Sequence, residues 1–301
     1  MKVFYCDRFV LPILPRSRFP AEKYSRLREK LSTSDGLKLE FIEAPAVSRK
    51  EIELAHHVSY VERVIHGELS AEEQRVLGFP WSGQLVERAR RSAGGTLAAC
   101  RTAVGEGVAV NLAGGTHHAR LNAAAGYCVF NDAAIAARVM SEVHSIDRVL
   151  IVDADVHQGD GTAEILQQYS NLYTFSIHAQ GNYPRRKATS DLDMPIADGM
   201  GDIGYLRHFR EGLERAFIAS RPQLVIYLAG ADPYVHDRLG RLNITKDGLK
   251  SRDQLVTDQC RLSHVPLAIA MAGGYAPNID DIVDIHCQTV AIAAALHAGR
   301  L

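Results

Sequence analysis

The sequence predicts an α/β fold in which a mainly parallel β-sheet carries helices on both faces. From about residue 90 onward, short apolar runs alternate with longer amphipathic segments, as strand and helix units around a parallel sheet do. Several of the apolar runs end in glycine-rich sequence followed by a polar residue. Because one such sheet can organise a chain of this length, we predict one domain that spans residues 1–301.

The individual elements follow from the spacing of apolar residues. Buried strands are predicted at residues 108–112, 148–152, 172–177, 224–228 and 266–271. Apolar positions about 3.6 residues apart predict helices at residues 132–143, 162–169, 205–217 and 253–262. The first ~90 residues give a weaker pattern, with helices predicted at residues 21–31 and 51–66. Residues 179–202, rich in Gly, Pro and Asp, are predicted to form a long functional loop.

Composition excludes several classes of protein. The chain has 301 residues, 47% of them hydrophobic and 23% charged, which suits an ordinary globular protein with a sizeable core. A net charge of -1 and the absence of a Lys/Arg block argue against direct binding of nucleic acid. No apolar run approaches the roughly 20 residues that span a membrane, and the N-terminal apolar run is too short for a signal peptide. We therefore predict a cytoplasmic location.

The cysteines do not indicate a disulfide framework. There are five of them, an odd number, scattered along the chain at Cys6, Cys100, Cys128, Cys260 and Cys287. No two form a CxxC pair, so a cysteine zinc site is not predicted either. Any metal site must therefore be built from other side chains.

The segment RVLIVDADVHQGDG carries the first candidate for such a site. Its apolar run ends in Asp153, Asp155 and His157 at alternate positions, which share one face if the chain stays extended. A carboxylate and an imidazole two residues apart can then reach one metal ion. A lone histidine in such a pattern is more often a hydrogen-bonded structural residue, so the interpretation needs support from other segments.

That support comes from three other strands, whose sequences are VAVNLAGGTHH, QLVIYLAGAD and PLAIAMAGGY. Ligands bind outside the carboxyl ends of strands in open α/β sheets. The polar residues predicted to converge there are His117, His118, Asp155, His157, Asp232 and Tyr275. An Asp, His, Asp ligand set leaves a fourth position open on a divalent metal, as a catalytic site requires.

Each of these residues also has a purely structural interpretation. Asp232 precedes Pro233 and can simply begin a turn, and the tandem histidines can form a packed pair. Tyr275 can be an ordinary aromatic at the end of a strand. The preceding Gly273 and Gly274, however, argue for a close approach of the backbone to the crevice.

The motifs taken together resemble a known family. NLAGGTHHA, GYCVFND, VDADVHQGDGT, SIHAQGNYP, LAGADP and AGGY stand in the order and spacing of the histone deacetylase and acetylpolyamine amidohydrolase superfamily. The likeness covers residues 109–275, and the N-terminal segments RFPAEKYSRLREKL and GFPWS also fit. With SDLDMPIADGMGD and RLGRLNIT, the chain looks closest to the class IV branch, which includes bacterial members.

The resemblance implies a fold and a metal site. The family fold is an arginase-like α/β sheet with helices on both faces. Its metal ligands fall on Asp155, His157 and Asp232, with Zn²⁺ the usual ion and Fe²⁺ able to serve. Its tandem histidines fall on His117 and His118, and their carboxylate partners fall on Asp153 and Asp160.

The implied reaction is metal-assisted hydrolysis of an amide, which removes an acetyl or longer acyl group from an acylated amine. Acyl-lysine in a protein or peptide is the first substrate class that the resemblance suggests. In the family the second histidine acts as general base and then as acid, which assigns that role to His118. His117 supplies electrostatic stabilisation, and Tyr275 donates its hydroxyl to the developing oxyanion.

The resemblance also implies residues that bind substrate and a monovalent cation. The substrate-binding residues are Gly126, Tyr127, Tyr183, Gly273 and Gly274, of which Gly126, Tyr127 and Tyr183 line an acyl-lysine tunnel. Related enzymes hold a monovalent cation, here K⁺, near the strand that carries the zinc ligands. The residues concerned are Asp153, Asp155, His157 and Ser176, with backbone carbonyls.

Three departures from the family leave its metal and proton chemistry untouched, and only the last leaves open whether the substrate is a protein. Gln158 stands where many members carry a second histidine, Ala272 stands where others carry glycine, and the acidic loop residue that grips the substrate backbone has no clear counterpart. The alternatives are an acetylpolyamine or other small-molecule amidohydrolase, a catalytically silent protein that binds acylated ligands, and an arginase-like binuclear manganese hydrolase. Acyl chain length and oligomeric state are not predicted.

Overall fold

A computed structural model describes residues 1–9, 11, 13, 17–34 and 36–299. The predicted domain also includes residues 10, 12, 14–16, 35, 300 and 301, which lie outside the described residues. The described chain forms an eight-stranded sheet in which every neighbouring pair of strands is parallel, in the order β2-β1-β3-β8-β7-β4-β5-β6. The strands are β1 (Lys2–Tyr5), β2 (Glu40–Glu43), β3 (Val108–Asn111), β4 (Val149–Asp153), β5 (Leu172–Ala179), β6 (Leu192–Ile196), β7 (Leu224–Leu228) and β8 (Leu267–Ala270).

Helices cover both faces of this sheet. They are α1 (Lys23–Ser32), α2 (Arg49–Glu53), α3 (Val58–His66), α4 (Ala71–Leu77), α5 (Gly83–Glu106), α6 (Asp132–Glu142), α7 (Asp160–Leu166), α8 (Asp202–Ser220), α9 (Lys246–Leu262) and α10 (Ile279–Ala298). Two hydrophobic cores result, one per face. Along β4, Val149 and Ile151 belong to one core, and Leu150 and Val152 to the other. The predicted α/β fold with a mainly parallel sheet is confirmed.

The five predicted strands are present, but β1, β2 and β6 were not predicted. The prediction of an unbroken loop at residues 179–202 is wrong, because β6 lies within it. This strand pairs only with β5, at the edge of the sheet, so it tolerates Pro195 and lacks the long apolar run of a central strand. The helix predicted at residues 51–66 is two helices, because the first ends at Glu53 and the second begins after His57, whose backbone is extended and whose side chain caps it.

Two long helices also escaped prediction. In α5, Gly94 and Gly95 weaken the amphipathic pattern, but a Cβ added at Gly94 would lie 1.8 Å from the carbonyl oxygen of Pro45. Close packing therefore requires this glycine. In α10, apolar residues continue around much of the helix, which masks its period. Among the described residues, no helix combines the length and apolar character needed to cross a bilayer.

The strand order brings the candidate site together. β3, β8, β7 and β4 are neighbours in the middle of the sheet and all run in the same direction. Their carboxyl ends therefore meet at one edge. The segments that follow these strands carry the tandem histidines, Tyr275, Asp232 and the Asp155 to His157 turn, respectively.

Candidate active site

The three predicted metal ligands form one compact buried cluster. One donor atom from each of Asp155, His157 and Asp232 lies within 4.8 Å of the other two. Nδ1 of His157 is 2.9 Å from Oδ1 of Asp155 and 3.2 Å from Oδ2 of Asp232. Donors bound to one tetrahedral zinc at about 2.0 to 2.2 Å would lie roughly 3.3 Å apart, so the cluster is close to the required size.

An orphaned carboxylate oxygen shows that the cluster suits a cation. The backbone amide of Val156 donates to Oδ1 of Asp232 at 2.9 Å. The backbone amide of Gly273 donates to Oδ2 of Asp155 at 2.9 Å. Oδ2 of Asp232 is buried and accepts no hydrogen bond from the described residues, because its contact with His157 lacks hydrogen-bond geometry. Burial and the charge of Asp155 raise the pKa of Asp232 to about 7. A metal ion would satisfy this oxygen and balance the two carboxylates.

Two glycines leave the space that the cluster needs. A Cβ added at Gly273 would lie 2.2 Å from Oδ2 of Asp232 and 2.5 Å from Oδ2 of Asp155. At Gly230 an added Cβ would lie 2.9 Å from a carboxylate oxygen of each aspartate. All four distances are shorter than real Cβ contacts, so the backbone approaches the carboxylates as closely as glycine alone permits.

The tandem histidines stand beside this cluster, each with its own carboxylate. Nδ1 of His117 lies 2.7 Å from Oδ2 of Asp153, and Nδ1 of His118 lies 2.6 Å from Oδ1 of Asp160. Because an ionised carboxylate only accepts hydrogen bonds, Nδ1 is the protonated nitrogen of each ring. Nε2 of the neutral His118 is therefore free to take up a proton.

The surroundings of the two imidazoles shift their pKa values in opposite directions. Burial lowers the pKa of His117, but the charges of Asp153 and Asp155 outweigh it and raise that pKa to about 9. Burial and the charge of His117 lower the pKa of His118 to about 4. At neutral pH His117 is therefore cationic and His118 is a free base.

Asp160 links His118 to a second charged group. Its other oxygen, Oδ2, accepts a 2.6 Å hydrogen bond from Arg120, which also pairs with Glu164 at 2.8 Å. Burial raises the pKa of Asp160, but its bonds to His118 and the charge of Arg120 produce a net decrease. The carboxylate thus stays ionised and keeps the His118 ring in one orientation.

Tyr275 faces the cluster from the segment after β8. Its ring centroid is 6.4 Å from that of His157, and its backbone amide donates to Oδ2 of Asp237 at 2.6 Å. Burial and the charges of Asp155 and Asp232 raise the pKa of the phenol well above its ordinary value. The hydroxyl is therefore protonated at neutral pH and able to donate a hydrogen bond.

A cavity of about 340 Å³ is lined by His117, His118, Asp155, His157 and Tyr275 but not by Asp153, Asp160 or Asp232. The predicted substrate residues Gly126, Tyr127, Tyr183 and Gly273 line it, whereas the buried Gly274 is not among its lining residues. The ring of Tyr183 stands at 90° to that of His118, with 4.8 Å between their centroids. A Cβ at Gly126 would lie 2.6 Å from Cδ2 of His118, so this glycine lets the chain pass close to the base.

The predicted cation residues are also neighbours. Asp153 and Ser176 are register partners on β4 and β5. Oδ1 of Asp153 accepts the backbone N–H of Asp155 at 3.2 Å, and Oγ of Ser176 lies 3.0 Å from Nδ1 of His178. The Ser176 hydroxyl therefore has a protein partner in this structure.

Sequence reasoning missed Lys23, whose Nζ lies 5.4 Å from the ring centroid of Tyr275. This lysine is 2% exposed, and its Nζ donates to the carbonyl oxygens of Ala272 at 3.1 Å and Gly274 at 3.4 Å. Burial lowers its pKa to about 8. Ala272 has a left-handed backbone with φ 54°, which explains the glycine of other family members. A lysine in an amphipathic helix carries no sequence signal of such a contact.

Asp237 was missed as well. Besides the amide of Tyr275, its carboxylate accepts the backbone N–H groups of Leu239 and Gly240, at 2.8 and 2.9 Å. It therefore joins the loop after β7 to the loop after β8. The signal for it was present, since Asp237 follows Asp232 within the same segment, ADPYVHDRLG.

The chain is similar to known proteins in sequence and in fold. The sequence matches the histone deacetylase domain family over residues 17–290. An uncharacterized protein from Picosynechococcus sp. is 42% identical over 286 residues, which are 94% of this chain and 95% of that protein. Histone deacetylase 2 from Arabidopsis thaliana is 35% identical over 189 residues, which are 62% of this chain but 49% of that enzyme.

A second histone deacetylase and a solved structure are also similar to this chain. Histone deacetylase clr6 from Schizosaccharomyces pombe is 30% identical over 260 residues, which are 79% of this chain and 63% of that protein. The crystal structure of the HDA15 HD domain matches with a TM-score of 0.82 at 22% identity, over 97% of this chain and 90% of that chain. At that identity the structural likeness shows the fold alone.

The fold and the site define an α/β protein with a buried Asp–His–Asp cluster, able to bind a metal, at the carboxyl edge of a parallel sheet. The chain belongs to the histone deacetylase domain family, because the match covers residues 17–290. The predicted superfamily is thereby confirmed. Its class IV branch stays a prediction.

Proposed function

We propose that the chain is a zinc-dependent deacylase of the class IV branch, which removes an acetyl or longer acyl group from acyl-lysine. One observation carries the proposal: Asp155 and His157 of the metal cluster, the free base His118 and the phenol of Tyr275 line one cavity, and Asp232 completes the cluster. An acyl amide needs a polarised carbonyl, a base for water and a donor for the oxyanion. The site offers a group for each.

Asp155, His157 and Asp232 would hold the metal. Bound there, a divalent ion supplies Lewis-acid polarisation of the acyl carbonyl and acidifies water. Zn²⁺ suits this O,N,O donor set, and Fe²⁺ is the alternative ion. Across the described residues these three form the one group of at least three such side chains whose donors lie within 4.8 Å. That favours a single ion over a binuclear manganese centre.

The protein groups would then divide the proton chemistry. Nε2 of His118 takes a proton from the attacking water and later returns it to the amine that leaves. Asp160 keeps the His118 ring oriented during both transfers. The cationic His117 stabilises negative charge without exchanging its proton, because Asp153 and Asp155 raise its pKa. The Tyr275 hydroxyl donates to the carbonyl oxygen as charge grows on it.

The charges around the cavity favour acyl-lysine over an acylated polyamine. Among the described residues that line it, Asp155 is the single carboxylate, and it belongs to the metal cluster. Lys23, Arg88 and Arg241 also line the cavity. A polyamine would bring further positive charges towards these groups and would lack acidic partners. The aromatic rings of Tyr127 and Tyr183 instead suit an apolar acyl-lysine stem.

Three subsidiary proposals accompany the main one. Residues 1–301 act as one catalytic domain in the cytoplasm. K⁺ binds near Asp153, Asp155, His157 and Ser176, because carboxylate, hydroxyl and carbonyl oxygens suit it. A catalytically silent acyl-ligand-binding protein is the weaker alternative, since the base His118 and the phenol of Tyr275 line one cavity and His118 keeps its carboxylate partner Asp160.

A substrate panel tests the proposed function. We expect the zinc-loaded protein to hydrolyse acyl-lysine peptides at least roughly tenfold better than acetylated polyamines, since a repulsion of about 1.4 kcal/mol already gives that ratio. The measurement is kcat/KM across acyl-lysine peptides of several acyl lengths and acetylated polyamines. A higher kcat/KM for acetylated polyamines would show that they, and not acyl-lysine, are the substrate class. Binding of the acylated compounds without hydrolysis would support the catalytically silent alternative.

Metal content gives an independent prediction. After dialysis we expect about one equivalent of tightly held divalent metal per chain, because three donors converge. Asp232→Ala should lose most of it, since the variant removes the oxygen that lacks a protein partner. Elemental analysis of both proteins measures this directly. Two equivalents in the crevice, or unchanged content in Asp232→Ala, would contradict the assignment.

A further inference from the structure

A buried arginine lies behind the metal cluster on α9. Arg252 is 0% exposed, and its Nη1 donates to the carbonyl oxygens of Gly230 at 2.7 Å and Ala154 at 3.2 Å. Ala154 immediately precedes Asp155, and Gly230 stands two residues before Asp232. One guanidinium group therefore contacts both segments that carry the carboxylates of the cluster.

The two peptide groups that Arg252 contacts are held from their other side as well. In the peptide between residues 154 and 155, the N–H of Asp155 donates to Oδ1 of Asp153 at 3.2 Å. In the peptide between residues 230 and 231, the N–H of Ala231 donates to the carbonyl oxygen of Gly273 at 2.9 Å. Each peptide plane is thus fixed at its oxygen and at its nitrogen. Rotation of either plane would displace the aspartate that follows.

The charge of Arg252 is balanced without solvent. Its Nε and Nη2 donate to Oδ1 of Asp253 at 3.0 and 2.8 Å. Asp253 also accepts the hydroxyls of Tyr227 at 2.6 Å and Thr289 at 2.5 Å. A buried ion pair of this kind costs desolvation and is a poor source of stability compared with apolar packing. Its cost here is consistent with a role in fixing geometry.

We propose that Arg252 is a positioning residue for the metal site, which holds the backbone before Asp155 and Asp232 so that their carboxylates face one ion. The inference rests on the proposed function, because it assumes that these aspartates bind the metal. The planar fork of arginine directs its N–H groups at two carbonyls and a carboxylate at once. The point charge of a lysine, with a shorter reach, cannot contact all three in the same way.

The test compares metal affinity with stability. In Arg252→Lys the positive charge beside Asp253 is kept, while the fork is lost. We expect its zinc dissociation constant to rise by about 10- to 100-fold, the usual loss when a partner that orients ligands is removed. The measurement is competition of metal-free protein with a chelator of known affinity, together with the melting temperature of each protein.

A matched control separates positioning from general destabilisation. Val256 is buried one turn further along α9, so Val256→Ala weakens the same packing without touching either carbonyl. It should lower the melting temperature and leave zinc affinity unchanged. If Arg252→Lys does not fold, the double variant Arg252→Gln/Asp253→Asn, which removes both charges, takes its place with the same expected loss of affinity.

The outcomes distinguish this inference from the proposed function. Wild-type affinity in Arg252→Lys, or an equal loss in Val256→Ala, would overturn the positioning role while leaving the metal site intact. A wild-type protein that binds no zinc would overturn the proposed function and this inference with it. A loss confined to the Arg252 variants would establish the role, whatever acyl substrate the enzyme prefers.

Discussion

His118→Ala is expected to lower kcat by about 100- to 10,000-fold, the range that a positioned general base contributes. The Nδ1 nitrogen of His118 is committed to Asp160 at 2.6 Å, which leaves Nε2 as the proton acceptor. His117→Ala should lose less turnover, because that ring is already protonated at neutral pH and acts through its charge. Steady-state kinetics at saturating zinc, with metal content measured on each variant, make the comparison.

The pH profile provides a check on this assignment. Because burial and the charge of His117 lower the pKa of His118 to about 4, the base stays neutral down to acidic pH. The value of kcat/KM should therefore stay constant as pH falls through 6.5, the ordinary pKa of histidine. It should decline only at lower pH. Asp160 raises the pKa of His118, so Asp160→Asn should move this decline to lower pH. The observed midpoint will belong to the coupled site rather than to one ring.

Two results would contradict the division of roles. Equal, small losses of kcat in His118→Ala and His117→Ala would show that neither histidine is the general base. A larger loss in His117→Ala, with metal content unchanged, would transfer the base to that ring. Melting temperatures show whether either variant loses activity only through unfolding.

How far the sequence predicts this site depends on where each group lies. Asp155, His157 and Asp232 follow apolar runs, and parallel strands bring their carboxyl ends together, so convergence follows from the fold class alone. The partners of the tandem histidines were available only through family resemblance, since Asp160 lies beyond the end of its strand. The register that joins Asp153 to Ser176 follows from strand order, which composition does not reveal.

Contacts that reach the site from helices distant in sequence left no sequence pattern. Lys23 reaches the loop of Gly274 from the far N-terminal part of the chain, and Arg252 reaches the segments that follow β4 and β7 from α9. In sequence each is a charged residue on an amphipathic helix, for which an exposed position is the ordinary expectation. Only tertiary packing turns these side chains inward, so their roles become visible when the helices are docked on the sheet.

The edges of the fold escaped prediction for a related reason. β6 contains Asp193 and Pro195, whose polar and imino groups break the apolar pattern of a strand. β6 nonetheless pairs with β5 along its whole length. Asp193 on β6 lies beside Gln158, whose Nε2 donates to Oδ1 of Asp193 at 2.8 Å. Gln158 therefore ties the turn after His157 to the edge strand, in a position where many relatives carry histidine.

Tyr275→Phe should lower kcat and kcat/KM together by ~100 to 1,000-fold, about 2.7 to 4 kcal/mol, because it removes one donor to an oxygen that gains negative charge. KM should change little, since the hydroxyl matters most in the transition state. Folding should be preserved. The phenylalanine ring keeps the packing against His157, Phe19 and Tyr127, and the backbone bond to Asp237 does not involve the side chain.

A second phenol in the same cavity supplies the control. Tyr24 also lines the cavity, and its ring packs 4.4 Å from the guanidinium of Arg88 rather than against the metal cluster. Tyr24→Phe removes a hydroxyl of the same kind and should retain most of the turnover. If Tyr275 is merely a packed aromatic, Tyr275→Phe should behave like Tyr24→Phe, because the ring remains in both. Kinetics, metal content and melting temperature of the two variants decide between these readings, and an active Tyr275→Phe enzyme would remove Tyr275 from the oxyanion site.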